Sequence, residues 1–110
     1  MTGKELGRIS SARFGHGGYQ DAQIGLSFSF EGESWGVQDF KGWWTQSVDS
    51  KGAQWTEEDR DRHYAEAVRL LDDTLRAAKK TDVAGLVGVP VEATFEGSTL
   101  KSWRVLTEVL

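Results

Sequence analysis

Between Gln23 and Glu31 the chain alternates without a break. Ile24, Leu26, Phe28 and Phe30 fall on one parity, and Gln23, Gly25, Ser27, Ser29 and Glu31 on the other. An extended chain points successive side chains to opposite faces, so this pattern predicts a strand over 22–31 with one face buried and the other solvated. Such a strand needs partners. Glu31-Gly32-Glu33 supplies a turn, and Ser34 to Phe40 reads as the returning strand, with Trp35 and Val37 on one face. Residues 5–14 (ELGRISSARF) read as a first strand. The polar stretch 45–54 (TQSVDSKGAQ) reads as a loop.

The period then changes from two to nearly four. Thr56 is placed to cap a helix, and Glu57, Glu58 and Asp59 set negative charge at the positive end of its dipole. Tyr64, Val68, Leu71, Leu75 and Ala78 form an apolar stripe, and Arg76, Lys79 and Lys80 close the helix at its negative end. Glu58 with Arg62 and Asp72 with Arg76 are i,i+4 pairs of helpful polarity. Beyond Asp82, VAGLV predicts a short helical turn ended by Gly88, and Pro90 suits the first position of a strand. Val91, Ala93 and Phe95 alternate up to a turn at Gly97. Leu100 to Leu110 reads as a last strand that is apolar on both faces: Trp103, Val105 and Val109 on one, Leu100, Leu106 and Leu110 on the other. A strand apolar on both faces belongs in the centre of a sheet or under a second layer. Phe95-Glu96-Gly97 echoes Phe30-Glu31-Gly32, as two hairpins with one turn chemistry would. The expected fold is a single α+β domain over 1–110: an antiparallel sheet of about five strands packed on one long helix, in the order β-β-β-α-β-β.

Composition narrows the function classes. The 110 residues carry 13 Lys plus Arg against 17 Asp plus Glu, a formal charge of −4. An acidic chain is a poor general binder of nucleic acid, whose affinity comes mostly from neutralised phosphates. There is no Cys, which excludes a disulfide scaffold, a cysteine zinc site and a thiol nucleophile and fits a reducing, cytoplasmic setting. No apolar run approaches the roughly 20 residues of a membrane span, and 1–10 lacks the apolar core of a signal peptide.

The glycines and aromatics crowd one half. Ten of 13 Gly lie in 1–55, and nine of twelve aromatic residues lie between Phe14 and Trp55. In Gly15-His16-Gly17-Gly18 the glycines invite a phosphate-loop reading, but no Lys-Ser/Thr follows and no helix begins there. A wide turn between strands accounts for them. Adjacent glycines still leave N–H groups accessible, and Arg13, His16, Tyr19, Gln20 and Asp21 flank them. Guanidinium, imidazole and phenol beside free N–H groups suit a small anionic or heterocyclic ligand. Trp43 and Trp44 are adjacent, so an extended backbone sends them to opposite faces and leaves one exposed, as a ligand shelf or partner contact. Trp35 and Trp103 fall on strand patterns and read as core, and Trp55 as packing on the helix start.

Catalytic signals are thin. His63 has Asp59 four residues back, but two ligands do not make a metal site, and no cofactor is implied. His16 with Asp21 and Asp39 supplies acid–base groups without a nucleophile motif, G-x-S-x-G or H-E-x-x-H.

Three blocks, GRISSARFGHGGYQDAQIGLSFSFEGESWGVQDF (7–40), QWTEEDR (54–60) and VPVEATFEGSTLKSWRVLTEVL (89–110), together resemble a family of small, uncharacterised proteins encoded by tailed phages and prophages. Members often carry Cys in the G-x-G-Y and pre-helix segments, where this chain has Gly17 and no Cys, so no metal or redox role carries over. The resemblance implies expression in the cytoplasm of an infected bacterium. The leading expectation is a non-enzymatic binding protein that sequesters or inhibits a host component, either a defence protein or a nucleotide signal. The candidate contact residues are Arg13, His16, Tyr19, Gln20, Asp21, Trp43 and Trp44. An accessory of phage DNA replication or recombination and a small nucleotide-processing enzyme are the alternatives. The last strand and the Trp surplus predict a homo-oligomer.

Overall fold

The computed structural model describes residues 2–47 and 54–110; part of the expected loop 45–54 lies outside them. Five strands form one antiparallel sheet: β1 (Gly3–Gly17), β2 (Gln23–Gly32), β3 (Gly36–Trp44), β4 (Pro90–Glu96) and β5 (Thr99–Val105). One long helix, α1 (Glu57–Ala78), falls between β3 and β4, which gives the α+β order β-β-β-α-β-β. Across the sheet the order is β3-β2-β1-β4-β5. The long β1 is therefore the spine, pairing β2 through 7–17 and β4 through 3–8.

The alternation in β2 sets the inner face. Leu26, Phe28 and Phe30 are buried, and their cross-strand partners Phe14, Ala12 and Ile9 share that face. A register shift between Ile9 and Ser11 keeps both ends of β1 facing inward. Val91, Ala93 and Phe95 extend the core along β4. Leu86 and Val89, in the turn of 3-10 helix at Val83–Leu86 and just beyond it, fill the space beneath. Burial of these aliphatic and aromatic groups, about 1.5–3 kcal/mol for each large side chain, is the main driving force.

The sheet curls. β3 and β5 are its opposite edges, yet Trp103 of β5 lies against Phe28 and Phe30 with ring centroids 4.9 and 4.8 Å away. Its indole N–H donates to Asp39 Oδ2 on β3 at 3.0 Å. Trp35 makes a second closure, edge-on to Phe95 at 5.2 Å. Its indole lies in a slot where Gly7 and Gly32 face each other across β1 and β2, and a Cβ on either glycine would strike the ring. The echoed turns close two hairpins, β2–β3 and β4–β5.

The helix start is as the sequence reads. Thr56 Oγ1 accepts from Asp59 N at 3.1 Å, and Asp59 Oδ2 accepts from Thr56 N at 3.0 Å, a reciprocal capping box. These bonds from Thr56, with Arg62 adding to them, hold the Asp59 carboxyl below its ordinary range. Asp72 and Arg76 pair at 3.0 Å. Arg62, however, takes Asp59 rather than Glu58.

Three expectations are corrected. The buried stripe of α1 is Ala67, Thr74 and Ala78 with Leu70, Leu71 and Leu75 beside it, while Tyr64 and Val68 are exposed. The helix is turned by about one position because Arg60 and His63 anchor its first turns to the sheet by hydrogen bonds. The third strand runs on through Trp44 rather than stopping at Phe40. The last strand stops at Val105: Leu106 N donates to Pro90 O, Pro90 has no N–H to return the bond, and the chain turns into a 3-10 segment at Thr107–Val109. A register shift also places Leu100 opposite Phe95, on the inner face with Trp103. β5 is thus a one-sided edge strand, neither central nor in need of a second cover.

Candidate functional site

The β1–β2 turn and the start of α1 meet at one end of the sheet. β1 continues through Gly17, Gly18 turns the chain at φ 72°, and Gln20 and Asp21 follow at φ 53° and 55°. Two adjacent non-glycine residues with left-handed backbone are unusual and costly, by about 1 kcal/mol or more each. They leave Tyr19 and Gln20 outermost, with Tyr19 74% exposed, and turn Asp21 back toward the helix.

The chain leaving β3 is gripped carbonyl by carbonyl. Trp44 O accepts from His63 Nδ1 at 2.7 Å, which makes Nδ1 the protonated ring nitrogen. Thr45 O accepts from Arg60 Nε at 3.0 Å, and Gln46 O from Trp55 Nε1 at 3.2 Å. The Trp55 and His63 rings pack 4.7 Å apart. Arg60 also donates from Nη2 to Tyr64 Oη at 3.0 Å, lies 5.3 Å from the Tyr64 ring centroid, and pairs with Glu57 at 3.5 Å.

These contacts wall a polar cavity of about 210 Å³ lined by His16, Asp21, Ala22, Thr45, Gln46, Ser47, Arg60 and Tyr64. It offers a guanidinium already held in place, a phenol, an imidazole, a carboxylate and hydroxyls. That donor and acceptor set suits a small polar ligand carrying negative charge beside a ring. Among the described residues no group of three or more His, Asp or Glu is gathered as metal ligands would be. None of their helices is long and apolar enough to cross a membrane.

The structure divides the residues singled out from the sequence. His16 and Asp21 line the cavity; Tyr19 and Gln20 do not, and lie exposed on the turn that leads from one to the other. Arg13 does not join them. It donates to the His16 carbonyl and lines a groove of about 690 Å³ on the outer sheet face, with Ser27, Gln38 and Phe40. Trp43 and Trp44 do take opposite faces of β3: Trp43 pairs Ile24 on the inner face, half-buried, and Trp44 is 41% exposed. Neither lines the cavity. Arg60 and Tyr64, which do, carry little local sign of a site: Arg60 follows the acidic first turn of the helix and Tyr64 falls on the apolar periodicity. Their i,i+4 spacing was the available signal.

The fold class is that of a two-layer α+β protein with a curled antiparallel sheet. No protein family, curated protein or solved structure matches the chain.

Proposed function

We propose that the chain is a non-enzymatic, phage-encoded binding protein that sequesters a small nucleotide-like ligand of its host in the cavity between the β1–β2 turn and α1. One observation carries the reading: His16 from the end of β1 and Asp21 from the turn converge with Arg60 and Tyr64 from the helix on a single polar cavity. Arg60 meets phosphate charge, and the rings of Tyr64 and His16 meet a base or sugar. About 210 Å³ takes a phosphate or a single ring rather than a whole nucleotide. The remainder of the ligand lies over the exposed Tyr19 and Gln20. The phage assignment rests on the resemblance of the three sequence blocks.

The test is calorimetric titration with a panel of nucleoside monophosphates and cyclic dinucleotides, followed by mass analysis of the recovered ligand. The expected result is binding by the wild-type chain, at least tenfold weaker binding by Arg60→Ala with its circular dichroism retained, and intact ligand. Binding that is indifferent to Arg60, or no binding at millimolar ligand, overturns it. Conversion of the ligand makes the protein an enzyme instead.

A further inference from the structure

We propose that the open edge of β3 is a homodimer interface, in which β3 pairs antiparallel with β3 of a second copy and Phe40 lies on the two-fold axis. Among the described residues no strand pairs with the outer side of β3, and nine extended residues are presented there. Edges of that length are either blocked or used.

The hydrogen-bond parity of β3 is fixed by its two ends. Gly32 N donates to Trp35 O, and Thr45 N donates to Ala22 O, in the same unbroken register that pairs β2 with β3. Antiparallel pairs alternate between those that exchange hydrogen bonds and those that do not. Odd-numbered residues of β3 therefore bond to β2, and Gly36, Gln38, Phe40, Gly42 and Trp44 turn their N–H and C=O to the open edge. The Trp44 carbonyl confirms the parity, since it is reached from outside by His63.

Only a few dyad-related registers keep that parity; those centred toward either end, on Gln38 or Gly42, give up overlap, and charge separates the three central ones. Centring the axis on Asp39 sets that carboxylate against its own copy. Centring it on Lys41 does the same with two ammonium groups. Centring it on Phe40 sets Asp39 opposite the partner's Lys41, and Lys41 opposite the partner's Asp39. This register also overlaps the whole of Gly36–Trp44, faces Val37 with the partner's Trp43 on the inner side, and stacks Phe40 on the partner's Phe40 on the outer side. The odd pairs are of the non-hydrogen-bonded kind, with Cα atoms about 4.5 Å apart, where side chains meet most closely. Asp39 gives Oδ2 to Trp103, which leaves Oδ1 for the incoming ammonium. Lys41 is exposed. The two charges therefore act twice: they favour one register and reject its neighbours. With the Trp44 carbonyl already engaged, about eight backbone hydrogen bonds remain to join the strands.

The test is sedimentation equilibrium from about 5 to 500 μM, the range in which so small an interface associates. The wild-type chain is expected to dimerise, with a constant weakened by salt. Lys41→Gln weakens it, and Lys41→Glu, which puts like charges opposite each other in two symmetric places, weakens it by about tenfold or more; added salt then helps rather than hinders. Amide exchange at Gln38, Phe40 and Gly42 slows as concentration rises, whereas Asp39 and Lys41 amides, already bonded to β2, do not change. A wild-type monomer throughout the range, equal constants for wild type and Lys41→Glu, or concentration-independent exchange at those three amides overturns the proposal.

Discussion

Replacing Trp103 by Phe removes one hydrogen bond from the contact that curls the sheet while keeping most of the ring. The lost bond is Nε1–H to Asp39 Oδ2 at 3.0 Å, partly buried, between strands at opposite edges. A hydrogen bond to a charged acceptor contributes about 1.5–3 kcal/mol. The site is half-buried, so the lower part of that range applies, about 1.5 kcal/mol. The phenyl ring retains contact with Phe28 and Phe30, but the missing pyrrole atoms leave a gap that adds about 1 kcal/mol. The expected loss is about 2–3 kcal/mol, and a fall in Tm of about 10 °C for a domain of this size. Asp39→Asn keeps an acceptor and is expected to cost about 1 kcal/mol. Urea unfolding followed by circular dichroism at low protein concentration measures both variants and their double mutant. Both substitutions act on the same bond, one removing its donor and the other weakening its acceptor, so the double mutant should be more stable than the sum of the single effects, by about 1 kcal/mol. A loss below about 0.5 kcal/mol for Trp103→Phe, or strict additivity, refutes the view that this bond closes the sheet.

Gly32→Ala thrusts a methyl into the Trp35 indole, and should cost about 1–3 kcal/mol by overpacking, seen as a lower urea midpoint with Trp35 fluorescence shifted to the red. Thr56→Ala removes the capping hydroxyl from Asp59 N, and should cost about 1 kcal/mol in thermal unfolding. The Glu108 carboxyl, held down to about 2 by Arg104 first and by its own backbone N–H next, should titrate near that value in carbon-detected NMR. Its contribution to stability is present above the ordinary carboxylate range, falls as pH drops toward about 2, and should disappear in Glu108→Gln. Asp59, also lowered, carries the same sign, so the helix cap should weaken as pH falls.

How much of this was legible in the sequence depends on the range of the interaction. The β2 alternation, the Thr56 cap and the Gly97 turn are written in neighbouring residues, and the structure follows them. The buried stripe of the helix departs from its apolar periodicity because its rotation is set by Arg60 and His63 reaching carbonyls some 15 and 19 residues earlier, a contact that periodicity does not encode. The last strand is shorter than its hydropathy suggests, because the apolar pattern continues through Leu110 while the ladder ends at Pro90, which lacks a donor. Half of the cavity, His16 and Asp21, came from the glycine-rich turn. The other half came from a helix whose approach to that turn depends on the curl of the sheet. Arg13 and His16 part for a simple reason: strand parity sends Arg13 to the face opposite His16's cavity-lining side, although the two are only three residues apart.

Residue-resolved titration of the labelled protein with adenosine monophosphate tests the binding account most directly. The amides of His16, Asp21, Ala22, Thr45, Arg60 and Tyr64 should shift together along one saturable curve, while those of Ser27 and Gln38 on the outer sheet face stay still. Shifts confined to the outer face, or none at millimolar nucleotide, would contradict it.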